Sequence, residues 1–277
     1  MAFIAESLNR IKVSPTLAVT NLASELKAQG KSVISLGAGE PDFDTPSNIK
    51  EAAKKAIDMG QTKYTPVGGT PDIKEAISEK FKRENNLIYN PSDQITVSNG
   101  GKHIIFNALV ATLNKGDEVI IPAPYWVSYP DMVLFAGGKP VILNTTIDSG
   151  FKVSPNEIEK LITDKTKWLI LNSPSNPTGA TYSAEDLRAI GEVIRKYPNI
   201  WVLSDDIYEH LVYDGFNYYT FAEVAPDLYN RTLTVNGCSK AFAMTGWRIG
   251  FAGGSSVLIK AMEKLQSQST TNPSSIS

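Results

Sequence analysis

The chain has 277 residues, 42% hydrophobic and 20% charged, enough to bury one large core or two small ones in an ordinary globular composition. Its 27 basic and 29 acidic residues leave a formal net charge of −2 with the basic residues dispersed, so no global field draws a polyanion and no nucleic-acid partner is expected. A single cysteine, Cys238, excludes an intrachain disulfide framework and fits a reducing compartment.

The opening "MAFIAESLNRIK" lacks the basic start and apolar run of a signal peptide, and no later stretch is apolar for long enough to span a bilayer. A cytoplasmic protein without membrane contact is therefore expected. From residue 32 onward, short aliphatic or β-branched runs alternate with helical patterns. "SVISL" at 32–36 reads as a strand, and Thr70-Pro71 reads as a helix start with proline in the first turn. "QITVS" at 94–98 is the next strand, followed by a helix over 103–113 in which Ile105, Ala108, Leu109 and Thr112 recur at helical spacing. Strands follow at 117–122, 139–143 and 167–172. Ser183 then caps a helix carrying Leu187, Ile190 and Ile194. Further strands read at 200–204, 231–235 and 248–252, before a polar tail, "SQSTTNPSSIS". This alternation predicts an α/β fold with a largely parallel sheet and helices on both faces.

In such sheets ligands bind beyond the carboxyl ends of the strands, and four of these ends carry unusual chemistry. After 94–98 comes "NGGKH", where Gly100 and Gly101 open a helix whose bare N–H groups favour an anion. It is no Walker loop, and taken alone it equally fits a glycine turn. After 167–172 comes "SPSNPTG", whose prolines fix a loop presenting Asn176. After 200–204 stand Asp205, Asp206 and Tyr208. After 231–235, "NGCSK" delivers Lys240, with Arg248 eight positions on. "LGAGEPD" at 36–42 suggests a dinucleotide fingerprint and fails it, because the third glycine would fall on Asp42 and two prolines spoil the receiving helix. A metal is not expected: the two histidines, His103 and His210, have no ligand spacing to the cysteine. One cofactor uses the whole set. Pyridoxal 5'-phosphate needs a lysine for its aldehyde, an acid for its ring nitrogen, donors for its ring oxygen, an aromatic partner such as Trp126, and cationic and backbone donors for its phosphate.

The motifs "SLGAGEPDFDTP", "KYTPVGG", "PYWVSYP", "NSPSNPTGA", "SDDIYEHLVY" and "SKAFAMTGWRIGF" together resemble the class I/II aminotransferases of the fold-type I pyridoxal-phosphate enzymes, across essentially the whole chain. The resemblance is nearest to the bacterial aspartate aminotransferase subgroup whose members often also accept prephenate. It implies that Lys240 carries the cofactor as a Schiff base and shuttles the proton, that Asp205 pairs with the ring nitrogen, and that Tyr208 and Asn176 donate to the ring oxygen. Trp126 would stack on the ring. Arg248, Lys102, Gly100, Gly101 and Ser239 would hold the phosphate, with Tyr64 reaching across from a second subunit of a homodimer. Gly237 stands where some members have serine. Gly39 and Lys12 would lie on the substrate side beside Trp126 and Asn176, Lys12 toward a distal carboxylate. The expected reaction moves an amino group between aspartate, or prephenate's amino counterpart or glutamate, and a 2-oxo acid such as 2-oxoglutarate.

Residues 1–45 would form an N-terminal arm and part of a small domain, and 46–277 the large cofactor domain. The family pattern implies that this domain is incomplete at its C-terminus, that the C-terminal small domain is absent, and that the chain alone binds cofactor weakly and turns over poorly. A β-lyase or decarboxylase on the same scaffold, and a catalytically inactive cofactor-binding fragment, stand as the alternatives.

Overall fold

A computed structural model describes residues 3–277. A short 3₁₀ segment at Glu6–Arg10 leads into α1 (Pro15–Ala28) and, after an irregular stretch, α2 (Ser47–Asp58), neither of which buries a residue. The chain continues through α3 (Pro71–Asn85), β1 (Ile95–Asn99), α4 (Gly101–Thr112), β2 (Glu118–Ala123), α5 (Ser128–Phe135), β3 (Lys139–Asn144), α6 (Pro155–Leu161) and β4 (Thr166–Asn172). It then forms α7 (Ala184–Arg195), β5 (Trp201–Asp205), α8 (Phe221–Val224), β6 (Thr232–Gly237), β7 (Ile249–Gly253) and α9 (Ser256–Ser267). The seven strands make one sheet in the order β1-β7-β6-β5-β4-β2-β3. Only β7 runs against its neighbours, β1 and β6; the other pairings are parallel.

Local chemistry explains the helix starts. Thr70 accepts a hydrogen bond from the Ile73 amide and Pro71 fills the first turn of α3. Ser183 and Asp186 form a reciprocal capping box on α7, satisfying two amides that the helix itself leaves without partners. Strands β2, β4 and β5 divide their side chains between two cores by simple alternation, while β1 and β7 feed a third with Phe81 of α3. Ile121, Trp168, Ile170 and Leu203 pack with Ile105 and Leu109 of α4, Val133 of α5 and Ile259 of α9. Ile120, Leu169, Leu171 and Val202 point the other way, toward Ile158 of α6, Ile190 of α7 and Phe221 of α8. Helices therefore cover both faces, which explains why these strands read as continuous apolar runs. Replacing one of these core leucines or isoleucines by alanine costs about 2–5 kcal/mol.

One predicted strand is absent. Residues 32–36 form no strand, and Ile34 and Leu36 are 90% and 91% exposed. A β-branched run becomes a strand only where a neighbour supplies the ladder, and among the described residues this one pairs with nothing.

Candidate active site

The parallel strands bring Asn99, Asn172, Asp205 and Gly237 to one edge of the sheet as their last residues. Because β7 runs in reverse, its first residue, Ile249, pairs with Asn99, so Arg248 arrives at the same edge. A cavity of about 600 Å³ opens there. Its walls include Gly39, Gly101, Lys102, Trp126, Asn176, Asp205, Tyr208, Ser239, Lys240 and Arg248, ten of the residues singled out from the sequence. Gly100 adjoins it through Arg248. Lys12 does not line it. That residue is exposed, its backbone amide bonds Asp131 at 3.3 Å, and it borders a second, largely apolar cavity of about 550 Å³ that shares Lys102 and Arg248. Tyr64 is 92% exposed and lines neither.

At one end of the cavity the chemistry is made by buried side chains. Asp205 is buried, and the Tyr129 hydroxyl donates to its Oδ2 at 2.5 Å. Burial pushes the Asp205 carboxyl up to about 6, against the hydrogen bonds from Tyr129 and the Ile207 amide, which favour the carboxylate. No cationic side chain of the described residues pairs with it. Asp206 stays outside the cavity: it accepts from Ser204 at 2.7 Å and Thr220 at 2.5 Å, and burial pushes it up to about 7. Asn172 links the neighbours, donating to the Asp205 carbonyl at 2.8 Å and accepting from the Asn176 amide at 2.7 Å. Asn176 Nδ2 then reaches the Tyr208 hydroxyl at 3.4 Å.

Lys240 lies between the ends. Its Nζ donates to the Gly39 carbonyl and stands 5.9 Å from the centre of the Tyr208 ring. Burial lowers its pKa, Glu40 works in the opposite direction, and Arg248 adds to the lowering.

The other end is made by backbone and cations. α4 begins at Gly101 behind Gly100, whose φ is +91° and which offers no side-chain cap. A Cβ on Gly100 would stand 2.2 Å from Arg248 Nη2, and one on Gly250 would stand 2.2 Å from the Gly100 carbonyl carbon, so both positions require glycine. Arg248 donates only to backbone carbonyls, of Thr245 at 2.8 Å and Asn99 at 3.2 Å. Lys102 sits 4.9 Å from the Trp126 ring centre, its pKa lowered by burial and then by Arg248. Two neighbouring cations without a carboxylate partner among the described residues, at a helix N-terminus, form a seat for an anion. Ser239 is buried beside them. A serine at Gly237 would be crowded, since a Cβ there meets the Ile249 carbonyl oxygen at 2.8 Å.

The sequence model of aminotransferase class I and II matches residues 31–277. The chain belongs to this family. An aspartate/prephenate aminotransferase of Cereibacter sphaeroides (strain ATCC 17029 / ATH 2.4.9) is 62% identical over 276 residues, spanning 100% of this chain and 69% of the relative. Another, from Nitrosomonas europaea, is 57% identical over 273 residues, spanning 99% of this chain and 68% of the relative. Among solved structures, an aspartate aminotransferase from Rhizobium meliloti superposes with a TM-score of 0.95 at 55% identity, covering 100% of this chain and 69% of that one. The Thermus thermophilus aspartate aminotransferase with maleate gives 0.95 at 48% identity, covering 100% and 71%. The fold-type I architecture expected from the motifs is thus the architecture found.

Aminotransferases of this class work with pyridoxal phosphate, and the donor set here fits that group. Among the described residues the buried acid lacks a cationic partner and the cation pair an anionic one, and an amine lies between them in the same cavity. Sequence reasoning assigned no role to Tyr129 or Asn172. Tyr129 follows Trp126 by three residues across the turn that enters α5, its amide donating to the Trp126 carbonyl at 3.1 Å, and the rings meet edge to face at 5.3 Å. Asn172 offered no signal, because its role depends on the register of β4 beside β5, which pairs it with Asp205.

Proposed function

We propose that this aminotransferase uses pyridoxal phosphate bound through Lys240 to move an amino group between aspartate and a 2-oxo acid such as 2-oxoglutarate. The observation that carries the reading is the single cavity joining the Lys240 amine, the buried acid Asp205 and the cations Lys102 and Arg248, which have no oppositely charged partner among the described residues. When bound, the cofactor supplies an aldehyde for the amine and an electron-withdrawing ring that accepts the electron pair released at the substrate carbon.

The chain's own residues do the rest. Desolvation favours the free base of Lys240, so its Nζ would hold the cofactor's aldehyde carbon and, as a free amine, would hold a proton beside the substrate carbon. Asp205, oriented by the Tyr129 hydroxyl, would hold the ring-nitrogen proton. Tyr208 and Asn176, which meet each other in the cavity, would donate to the ring oxygen, and Trp126 would cover the ring. Arg248, Lys102, Ser239 and the amides at Gly100 and Gly101 would take the phosphate and so position the reacting groups. Gly39 belongs to the substrate side, and its carbonyl receives the Lys240 amine. In a homodimer the exposed Tyr64 would belong to the contact with the second copy. Lys12, on the adjoining cavity, would act only on the far end of a substrate.

Aspartate as donor is supported by the names of the relatives, two of them aspartate/prephenate aminotransferases. Loading the protein with pyridoxal phosphate and adding aspartate tests the reaction. Oxaloacetate and pyridoxamine phosphate should form one for one. Release of ammonia or carbon dioxide in their place would assign the site to a lyase or a decarboxylase.

A further inference from the structure

Glu209 follows Tyr208 in the chain but turns away from the cavity into the protein, where it is buried. Three groups bond its carboxylate, and His210 Nδ1 lies 3.6 Å from Oε1. Lys80 of α3 forms an ion pair with Oε1, Asn85 of α3 donates to Oε2 at 2.9 Å, and Asn236 of β6 donates to Oε1 at 2.7 Å. Both asparagines are as buried as the acid. Asn236 also holds the chain ahead of it, because its Oδ1 accepts the Gly237 amide at 2.7 Å, the first peptide of the segment that leads to Lys240. On the other side, the Glu209 amide donates to the Asp206 carbonyl at 3.0 Å and closes the turn that carries Tyr208.

We propose that Glu209 is a positioning residue for Lys240 and Tyr208, acting on the lysine through Asn236. One carboxylate ties the lysine-bearing segment after β6 and the phenol-bearing turn after β5 to the same strut on α3. Burying an ion pair rarely adds net stability over an apolar pair of similar size, because desolvation offsets the attraction. What a doubly held carboxylate does supply is direction, since its two oxygens take donors from two different elements. The nearby groups Glu84 and His210 do not make this a cation site. Their ligand atoms lie within 4.8 Å of Glu209, but the Lys80 ammonium already supplies the positive charge there.

The inference rests on Lys240 being the reactive amine, so its test is taken without cofactor and is separable from the labelling that tests that reading. The amine reactivity of Lys240 is measured in the intact 277-residue chain by brief acetic anhydride labelling across a pH series, with peptide mapping. The charged groups facing Lys240 are Glu40 and Arg248, with the Tyr208 ring beside it, and the variants alter none of them. A moved midpoint therefore reports the setting of the segment.

Asn236→Ala and Asn85→Ala each remove one buried amide from Glu209, but only Asn236 touches the Gly237 peptide. Asn236→Ala and Glu209→Gln should raise the Lys240 midpoint by roughly 0.5–1 pH unit as the amine gains water, about a three- to tenfold loss of free base at a given pH. Asn85→Ala should leave it within about 0.2 unit at a comparable loss of thermal stability. If Glu209→Gln does not fold, the two asparagine variants decide. An unmoved midpoint in folded Glu209→Gln or in Asn236→Ala, or an equal shift in Asn85→Ala, would overturn the proposal.

Discussion

The two ends of the cavity solve opposite electrostatic problems with different parts of the chain. The Asp205 end hides an acid from water and leaves it short of a cation, so its carboxyl is pushed up to about 6. The Gly100–Arg248 end gathers cations and bare amides and leaves them short of an anion. Buried side chains build the first, and backbone amides with two cationic side chains build the second. The acid end should therefore be sensitive to what a side chain is, and the cation end to whether a Cβ is present at all.

The largest effect is expected at the acid end. Asp205→Ala should cost transamination on the order of 10²–10⁴-fold, while Asp206→Ala should cost less than about tenfold, since Asp206 faces Ser204 and Thr220 instead of the cavity. Steady-state kinetics of the two variants tests this. The reverse ranking would mean that the wrong acid has been assigned.

At the cation end, Gly100→Ala changes no charge yet drives a methyl against the Arg248 guanidinium, at a φ that side chains rarely adopt. Equilibrium dialysis should show pyridoxal phosphate bound about 100-fold more weakly, with pyridoxal, which has no phosphate, affected far less. Equal losses for the two ligands would remove the phosphate from this end.

The third effect concerns stability. Asp205 and Asp206 both have folded pKa values above the usual carboxylate value of 3.8, up to about 6 and about 7, so the fold favours their protonated forms. Their contribution is fully present below about pH 4 and is lost as the pH rises to about 7. In denaturant titrations of the cofactor-free chain, Asp206→Asn should remove about 3 kcal/mol of that decline between about pH 4 and 7. An unchanged slope would show that Asp206 is not driven toward protonation by burial.

The smallest effect is expected from Tyr129→Phe, which leaves Asp205 in place and removes one donor to its carboxylate. The acid limb of kcat/KM should move to higher pH and activity fall about tenfold, as for one hydrogen bond to a charged group. A shift to lower pH would contradict the assigned donor.

Much of this was legible in the sequence because it rests on local rules. The aliphatic run at 167–172 announces β4, whose residues alternate between the two cores, and Gly100-Gly101 allows a helix start on bare backbone, though alone it equally fits a glycine turn. Asp205 and Asp206 are separated by the pleat alone. What escaped depends on contacts far apart in the chain. Tyr129 meets Asp205 across 76 positions and Asn85 meets Glu209 across 124, and no spacing rule joins them. Residues 32–36 erred in the other direction, because β-branched composition predicts a strand without saying whether a neighbour exists.

The central claim is that both ends serve one ligand anchored on Lys240. The chain is incubated with pyridoxal phosphate, reduced with borohydride, digested and mapped by mass spectrometry. The pyridoxyl group should be found on Lys240, and prior addition of inorganic phosphate should reduce the labelling by competing at Lys102 and Arg248. A label on Lys102, or labelling of Lys240 indifferent to phosphate, would contradict the account.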